Sequence, residues 1–523
     1  MSFDLCVVGS GFGGSLLAMI ARRLGRSVVL IERGSHPRFA IGESSTPLAN
    51  LLWEELARRY NLPSLLALAK WGSWQRTYPG IACGLKRGFT FYHHVFDQLF
   101  SRDAEHSNEL LVAASPRDEI ADTHWYRADF DSFLVHQAAE LGVEYLDQCH
   151  IEKCFYSGKE LIIEIERAGQ RSAIRSHFLV DASGPRGFLH RTLGLGELPF
   201  NDLPLTQGLY THFTNVERWS GLALTAPWAD DLPPYPVDDA ALHHIFEGGW
   251  IWVLRFNNGL TSAGVAVADP LANALNLAEG KPAWDRLLER LPSVREQFAQ
   301  AEAQHPFVYA PRLSFRSKKV TGPGWVLLPS AAGFVDPLLS TGFPLTLLGI
   351  SRLAETIEHH WETDRFSESL ADYSNKTMRE LNAAEQLIAA LYASMSDFEM
   401  FTSLSLLYFA AASFSEAARR LGRVDIARSF LMCDHPEFGP RFQSCCQRAI
   451  QVSTETKDSF RERNKLLEQI QSTIEPFNLA GLGRKHKRNW YPINSNDLRE
   501  EGHKVGVPIS AIEQWLARSG FDV

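Results

Sequence analysis

The sequence predicts an α/β protein in which a Rossmann-like dinucleotide-binding domain is interleaved with a β-sheet domain and followed by a helical C-terminal extension. Three observations carry this. The chain opens on an apolar strand, a glycine-rich turn and a second apolar strand that ends in an acidic residue. Alternating apolar segments run through its middle, and beyond about residue 347 the apolar period lengthens to that of a helix.

The first element is the strand Leu5 to Val8, which runs into Gly9-Ser10-Gly11-Phe12-Gly13-Gly14. Glycines at 9, 11 and 14 match a Gly-x-Gly-x-x-Gly turn, where a missing Cβ lets the backbone approach a pyrophosphate at the N-terminus of the next helix. Phe12 and Gly13 share that turn. The second strand is Val28-Val29-Leu30-Ile31-Glu32-Arg33, which places Glu32 to hold a ribose hydroxyl with Arg33 beside it. A glycine-rich turn alone is a weak sign; the order of strand, turn, helix, strand and acid makes it a dinucleotide site.

After the second strand, an NAD-binding chain would continue in short βα units. This chain instead inserts Gly42-Glu43-Ser44-Ser45-Thr46-Pro47 and a long irregular stretch, which points to a flavin. Arg127, in Tyr126-Arg127-Ala128-Asp129, opens a later helix. Phe178 to Pro185 is a strand ending in a small-residue turn at Asp181 and Gly184, where the chain can pass close to a cofactor. Residues 1–85, 127–194 and 311–352 are accordingly assigned to the flavin domain. Residues 86–126 and 195–310 are assigned to the substrate-domain sheet, with alternating strands at Gly208–Thr214 and Leu260–Val267. The remainder, 353–523, is expected to be mainly helical, with apolar stripes at Arg352–Ile357 and Leu381–Ala390. Leu404 to Phe414 is apolar all round but too short to span a bilayer, and is expected as a buried helix over the substrate pocket. Asn489 to Pro492 is expected to be extended and packed back on the body, ahead of a terminal helix from Ser510.

Three further motifs narrow the reading: Lys86-Arg87-Gly88-Phe89-Thr90-Phe91, Gly249-Trp250-Ile251-Trp252-Val253-Leu254, and Gly333-Phe334-Val335-Asp336-Pro337-Leu338-Leu339-Ser340-Thr341-Gly342. Trp250 and Trp252 stand two apart on a strand, so both face one side and are expected to line a pocket. With the Gly42–Pro47 loop, these segments resemble the flavin-dependent halogenase family, in its tryptophan-halogenase-like phenolic branch, within the FAD-dependent monooxygenase superfamily. The resemblance spans residues 4 to about 345, in order.

That resemblance implies FAD as cofactor, with Ser44, Arg127, Asp181, Gly184, Ser330, Phe334 and Pro337 beside it. It implies halide held near Thr341 and Gly342, and Lys86 as the catalytic residue, together with Glu43 of the joining loop as a second catalytic candidate. It further implies reduced flavin from a separate flavin reductase, an electron-rich aromatic substrate, free or carrier-bound, and a helical extension that closes the substrate site. A lysine in an apolar pocket has a depressed pKa and becomes a usable amine; the other reading of Lys86 is a solvated strand end. Glu43 can equally be a charge at the start of the helix containing Leu48–Leu52.

Three positions depart from the family pattern. Leu254-Arg255 stands where the family has Ile-Pro, Ser330 stands where it has an aspartate, and Phe89 replaces a small residue next to Lys86. These keep open a flavin monooxygenase, or a dehydrogenase or reductase similar to geranylgeranyl reductases, on the same scaffold. A flavin-binding protein without catalysis is a third reading.

Composition excludes other classes. The net charge of −9 leaves no electrostatic footprint for nucleic acid. Seven cysteines, an odd number without a Cys-x-x-Cys pair, and a first strand without a signal-peptide pattern lead to the expectation of a cytoplasmic chain without stable membrane insertion. The pairs His93-His94, His243-His244 and His359-His360 do not suggest a metal, since neighbours on a strand face opposite ways. One of His93 or His94, taken as His93, is expected beside Lys86 in the substrate pocket.

Overall fold

Strand Ser2–Val8 lies between Val28–Ile31 and Gln170–Asp181 and runs parallel to both; Glu144–Leu146 and Trp325–Leu327 extend this parallel core on either side. Val28–Ile31 is buried along its whole length, as expected for a strand covered on both faces. The computed structural model describes residues 2–157, 160–223, 232–454 and 459–519. An antiparallel meander, Cys149–Ser157 and Glu160–Arg167, continues from Gln170–Asp181. Helix Phe12–Arg23 packs on the sheet at close range: a Cβ on Gly14 would sit 1.9 Å from the Gly9 carbonyl oxygen.

A second, largely antiparallel sheet has Thr206–Thr214, Thr261–Ala268, Gly249–Arg255, Ala241–Phe246, Gly88–His93 and Glu109–Ala113 in that spatial order. Its two faces separate with the period of two. Phe89, Phe91, Ala241, Trp250 and Trp252 join the core shared with the first sheet, whereas Tyr92, Leu242, Ile251 and Val253 join a separate core under Lys281–Arg290. Cys83–Lys86 and Asp122–Trp125 do not join this sheet. They pair with each other, Lys86 opposite Asp122, in a two-stranded ladder between the two sheets.

Five long helices build most of the C-terminal part: Gly342–His360, Arg365–Ala393, Phe398–Arg420, Phe438–Thr454 and Ser459–Ile474. Leu404 to Phe414 lies within the third of these, whose Phe401, Tyr408 and Phe409 rings pack on Phe89 and Phe91. One piece of this region is strand, not helix. Trp490–Tyr491 pairs in parallel with Glu109–Ala113 and ties the C-terminal part to the second sheet. Among the described residues, no helix is long and apolar enough to cross a membrane.

Candidate active site

The parallel strands end at one edge, and a cavity of about 950 Å³ opens there, between the two sheets. This is where open α/β sheets hold ligands. Val8 and Gly9, Ile31 and Glu32, and Ala182 to Gly184 line it at the ends of three strands; Ser330 lies just beyond a fourth. Gly9 has φ +100°, and a Cβ there would meet the Ala182 backbone at 2.7 Å, so only glycine fits. Gly11 differs: a Cβ on it would meet the Arg127 guanidinium at 3.3 Å, on the cavity side. Phe12 and Gly13 line the cavity as well.

Glu32 accepts hydrogen bonds from the Ser10 amide (3.1 Å), the Ser10 hydroxyl (3.0 Å) and the Gly34 amide (3.0 Å). Burial works against its charge, but these donors and Arg38, 3.6 Å away, hold its carboxyl below the usual range. Arg33 lines the cavity beside it. Arg127 opens helix Arg127–Glu140, pairs with Asp131 at 2.7 Å, and donates to the carbonyls of Ile41 and Gly42. It thereby fixes the start of the Gly42–Pro47 loop against the cavity. Glycine backbone, buried acid and arginine on these elements suit a dinucleotide.

Two residues expected at the cofactor are placed otherwise. Gly14 is not in the cavity wall; its missing side chain serves helix packing. Asp181 is fully buried behind the wall, where it accepts from the Ser183 amide (2.9 Å), the Ser183 hydroxyl (2.5 Å) and the Leu189 amide (2.6 Å). It shapes the turn that carries Gly184 and does not face the cavity.

The opposite wall comes from the second sheet. Trp250, Trp252 and Leu254 line the cavity, and the intervening residues face away. Arg255 is on that far side, donating to the Val216 carbonyl at 2.9 Å and to the Glu217 carbonyl, and lying 3.5 Å from Asp238. The cation therefore does not enter the site. His93 is a correction: it does not line the cavity, but stacks on Phe398 at 5.1 Å and bonds the Met395 carbonyl at 3.2 Å. The imidazole that lines the cavity from the second sheet is His243, stacked on Phe91 at 4.4 Å and 5.4 Å from Trp250. Its Nδ1 donates to the Thr90 carbonyl at 3.1 Å, and burial pushes its pKa down to about 3, so it is neutral. Alternation along Ala241–Phe246 would have separated His243 from His244, but only register tells which of the two faces the cavity.

Lys86 is fully buried at the end of its ladder strand. Its amine donates to the Ser44 hydroxyl (2.8 Å) and the Ser45 carbonyl (2.5 Å) and sits 3.8 Å from the centre of the Phe89 ring. Burial pushes its pKa down to about 7, against the opposing pull of Asp122. Phe89 does crowd the amine, as its size suggests. Lys86 is not in the cavity wall itself; Ser44 is, so one hydroxyl separates the amine from the cavity. The Glu43–Ser45 main chain is held there by bonds from Trp125 N to Glu43 O (2.6 Å) and from Ser45 N to Thr123 O (3.2 Å), on the strand that pairs with Lys86.

Glu43 lines the cavity and pairs with His212 Nε2 at 2.8 Å, joining the Gly42–Pro47 loop to strand Thr206–Thr214. It is not the cap of the following helix: Thr46 is, accepting from the Ala49 amide at 3.1 Å, with Pro47 in the first turn. His212 went unnoticed in the sequence, although it shares a strand face with Tyr210, which lines the cavity. Phe334 and Pro337 line the cavity just before Leu339 and Ser340, both left-handed (φ 61° and 54°). That turn delivers Thr341 and Gly342 to the cavity at the N-terminus of the 19-residue helix Gly342–His360. Its first amides have no partners within the helix, and a Cβ on Gly342 would meet nothing within 4 Å.

Comparison with known proteins places this arrangement. Residues 122–400 match the family model described as tryptophan halogenase, and residues 7–48 match one described as an NAD(P)-binding Rossmann-like domain. The chain is 29% identical over 413 residues to the monodechloroaminopyrrolnitrin halogenase PrnC of Pseudomonas fluorescens, covering 78% of this chain and 70% of that one. It is 28% identical over 422 residues to the tetracycline 7-halogenase of Kitasatospora aureofaciens, covering 78% and 73%. The fold superposes on the crystal structure of halogenase PltM in complex with phloroglucinol and FAD, with a TM-score of 0.81, 25% identity, and coverage of 93% of this chain and 99% of that one.

Proposed function

Because the chain belongs to the tryptophan halogenase family, whose members are FAD-dependent enzymes, we propose that it halogenates an electron-rich aromatic ring through Lys86, with chloride or bromide as the halogen source. The observation that carries this is a fully buried amine that donates to the Ser44 hydroxyl in the cavity wall; burial pushes its pKa down to about 7. FAD is the cofactor, and in its reduced form it supplies the activation of dioxygen that turns halide into an electrophile. Gly9, Gly11, Phe12 and Gly13 would cradle its pyrophosphate, Glu32 and Arg33 would hold the adenosine side, and Ser44, Arg127, Gly184, Ser330, Phe334 and Pro337 would line the rest.

The chain's own residues do the remaining work. Backbone amides at Thr341 and Gly342 would hold halide, favoured there by the positive end of the helix dipole. Trp250, Trp252 and His243 close the cavity from the second sheet with rings and a neutral imidazole, which keeps water from a reactive electrophile. At neutral pH a Lys86 amine with a pKa near 7 is divided between its two forms. The free amine can take the halogen from hypohalous acid, releasing water; the aromatic carbon then takes it from nitrogen, and the ring proton leaves. The ammonium can instead orient the acid by hydrogen bonding. Either way, Lys86 decides where the electrophile is delivered.

One structural relative, halogenase PltM, is in complex with phloroglucinol and FAD, and a phenolic ring is the proposed substrate class. Carrier-bound rings remain within the proposal. No second glycine-rich nucleotide turn appears in the sequence, so reduced flavin is proposed to come from a separate reductase. All seven cysteines are unpaired, which supports a reducing, cytoplasmic setting. The test is product mass spectrometry with FAD, a flavin reductase, NADH, oxygen and bromide on a panel of phenols, pyrroles and indoles. A bromine isotope pair in a product supports the proposal; oxygenated product without bromine overturns it.

A further inference from the structure

Within the motif that lines the cavity, Asp336 points the other way. Val335 and Pro337 face the cavity, but Asp336 is buried behind it and serves three donors. Its Oδ1 accepts from the Trp250 indole at 3.2 Å and from the Leu338 amide at 2.9 Å, and its Oδ2 accepts from the Tyr392 hydroxyl at 3.0 Å. These donors belong to three different parts of the fold: the second sheet, the turn that leads to Thr341, and helix Arg365–Ala393.

We propose that Asp336 is a positioning residue that fixes the Trp250 ring against the cofactor cavity and registers the helical region on it through Tyr392. A buried carboxylate with fewer partners would be costly, and three donors make this one tenable. Burial raises its carboxyl to about 7, while the amide and the two side-chain donors favour the ionised form that accepts all three bonds. Trp250 needs such an anchor because it sits in the middle of a run of rings. It is 5.7 Å from Trp252 on one side and 5.4 Å from His243 on the other, with Phe91 beyond. A Trp250 ring free to rotate would open the cavity wall that it forms with Trp252 and His243. The same carboxylate holds the Leu338 amide, so it also sets the turn that presents Thr341 and Gly342.

This inference rests on the proposed function only for what the wall encloses. The experiment compares FAD-loaded wild type with Asp336→Asn, which keeps size and removes one acceptor, and Tyr392→Phe, which removes one donor. Three quantities are read: FAD affinity, hydrogen peroxide released per oxygen consumed, and acrylamide quenching of the Trp250 emission, isolated by difference from Trp250→Phe. Asp336→Asn is expected to keep FAD affinity within about three-fold, to raise peroxide release at least about five-fold, and to increase Trp250 quenching. Tyr392→Phe shifts both in the same direction by less, and serves as the test if the asparagine variant fails to fold. Unchanged peroxide release and quenching in a variant that holds FAD would overturn the proposal. If wild type makes no brominated product, the proposed function fails on its own, and Trp250 quenching still decides the role of Asp336.

Discussion

Lys86→Met removes the amine and keeps the length of the side chain, and it should stabilise the protein. The amine has an ordinary pKa of 10.5 and is pushed to about 7 in the fold, chiefly by burial. Between those values the unfolded chain binds a proton that the folded chain does not, so stability rises with pH across that window. The full difference corresponds to about 5 kcal/mol against the fold, expressed below pH 7 and gone above pH 10.5. At pH 7 about 4 kcal/mol of it is present, and at pH 9 about 2 kcal/mol. The bonds to Ser44 and Ser45 that methionine cannot make offset part of the gain, by about 1 kcal/mol each. They subtract alike at both pH values, so the advantage of Lys86→Met over wild type should be about 2 kcal/mol larger at pH 7 than at pH 9. Urea unfolding at the two pH values, with saturating FAD and followed by tryptophan fluorescence, measures this. An advantage that does not change with pH would mean that Lys86 titrates as it does in water, and the account of a desolvated amine would be wrong.

Gly11→Val aims a branched side chain into the cavity without meeting backbone, so it should yield a folded, colourless protein with FAD affinity down at least about 100-fold, or about 2.7 kcal/mol; retained yellow colour after gel filtration would contradict the cradle. His212→Ala takes the hydrogen-bond partner from the buried Glu43 and should lower stability by about 1–3 kcal/mol, read by thermal unfolding. His212→Gln, which restores a donor, should recover part of that. Arg255→Ala should lower stability, because Asp238 loses its guanidinium, but leave product formed per bound flavin unchanged; a loss of turnover at constant flavin content would place Arg255 in the site after all.

What the sequence made legible was local. The βαβ unit is written in contiguous residues, and the placement of Trp250 and Trp252 on one face follows from their spacing alone. Positions that depend on register between distant strands were not legible. His93 and His243 occupy the same face of one sheet, yet only the second lies over the cavity, and nothing within either histidine pair distinguishes them. Arg255 looked intrusive as a substitution for proline, but strand alternation turns it away from the wall. Asp181 and Gly14 belong to the expected motif and act one layer behind the cavity, on the packing that shapes it. Ser44 and Lys86 are 42 residues apart in sequence, and their contact exists because the ladder strands Cys83–Lys86 and Asp122–Trp125 bring the flavin loop over the amine. Asp336 was visible as a motif residue, but its three donors come from parts of the fold that no local pattern connects.

The central claim is that Lys86 delivers the halogen, and the most direct measurement compares wild type with Lys86→Ala at matched FAD occupancy. Both are given reductase-supplied reduced flavin, bromide and a phenolic substrate, and brominated product is counted by mass spectrometry. The account predicts brominated product from wild type and none from Lys86→Ala, with peroxide release and FAD affinity retained in the variant. Brominated product at an undiminished rate from Lys86→Ala would contradict it.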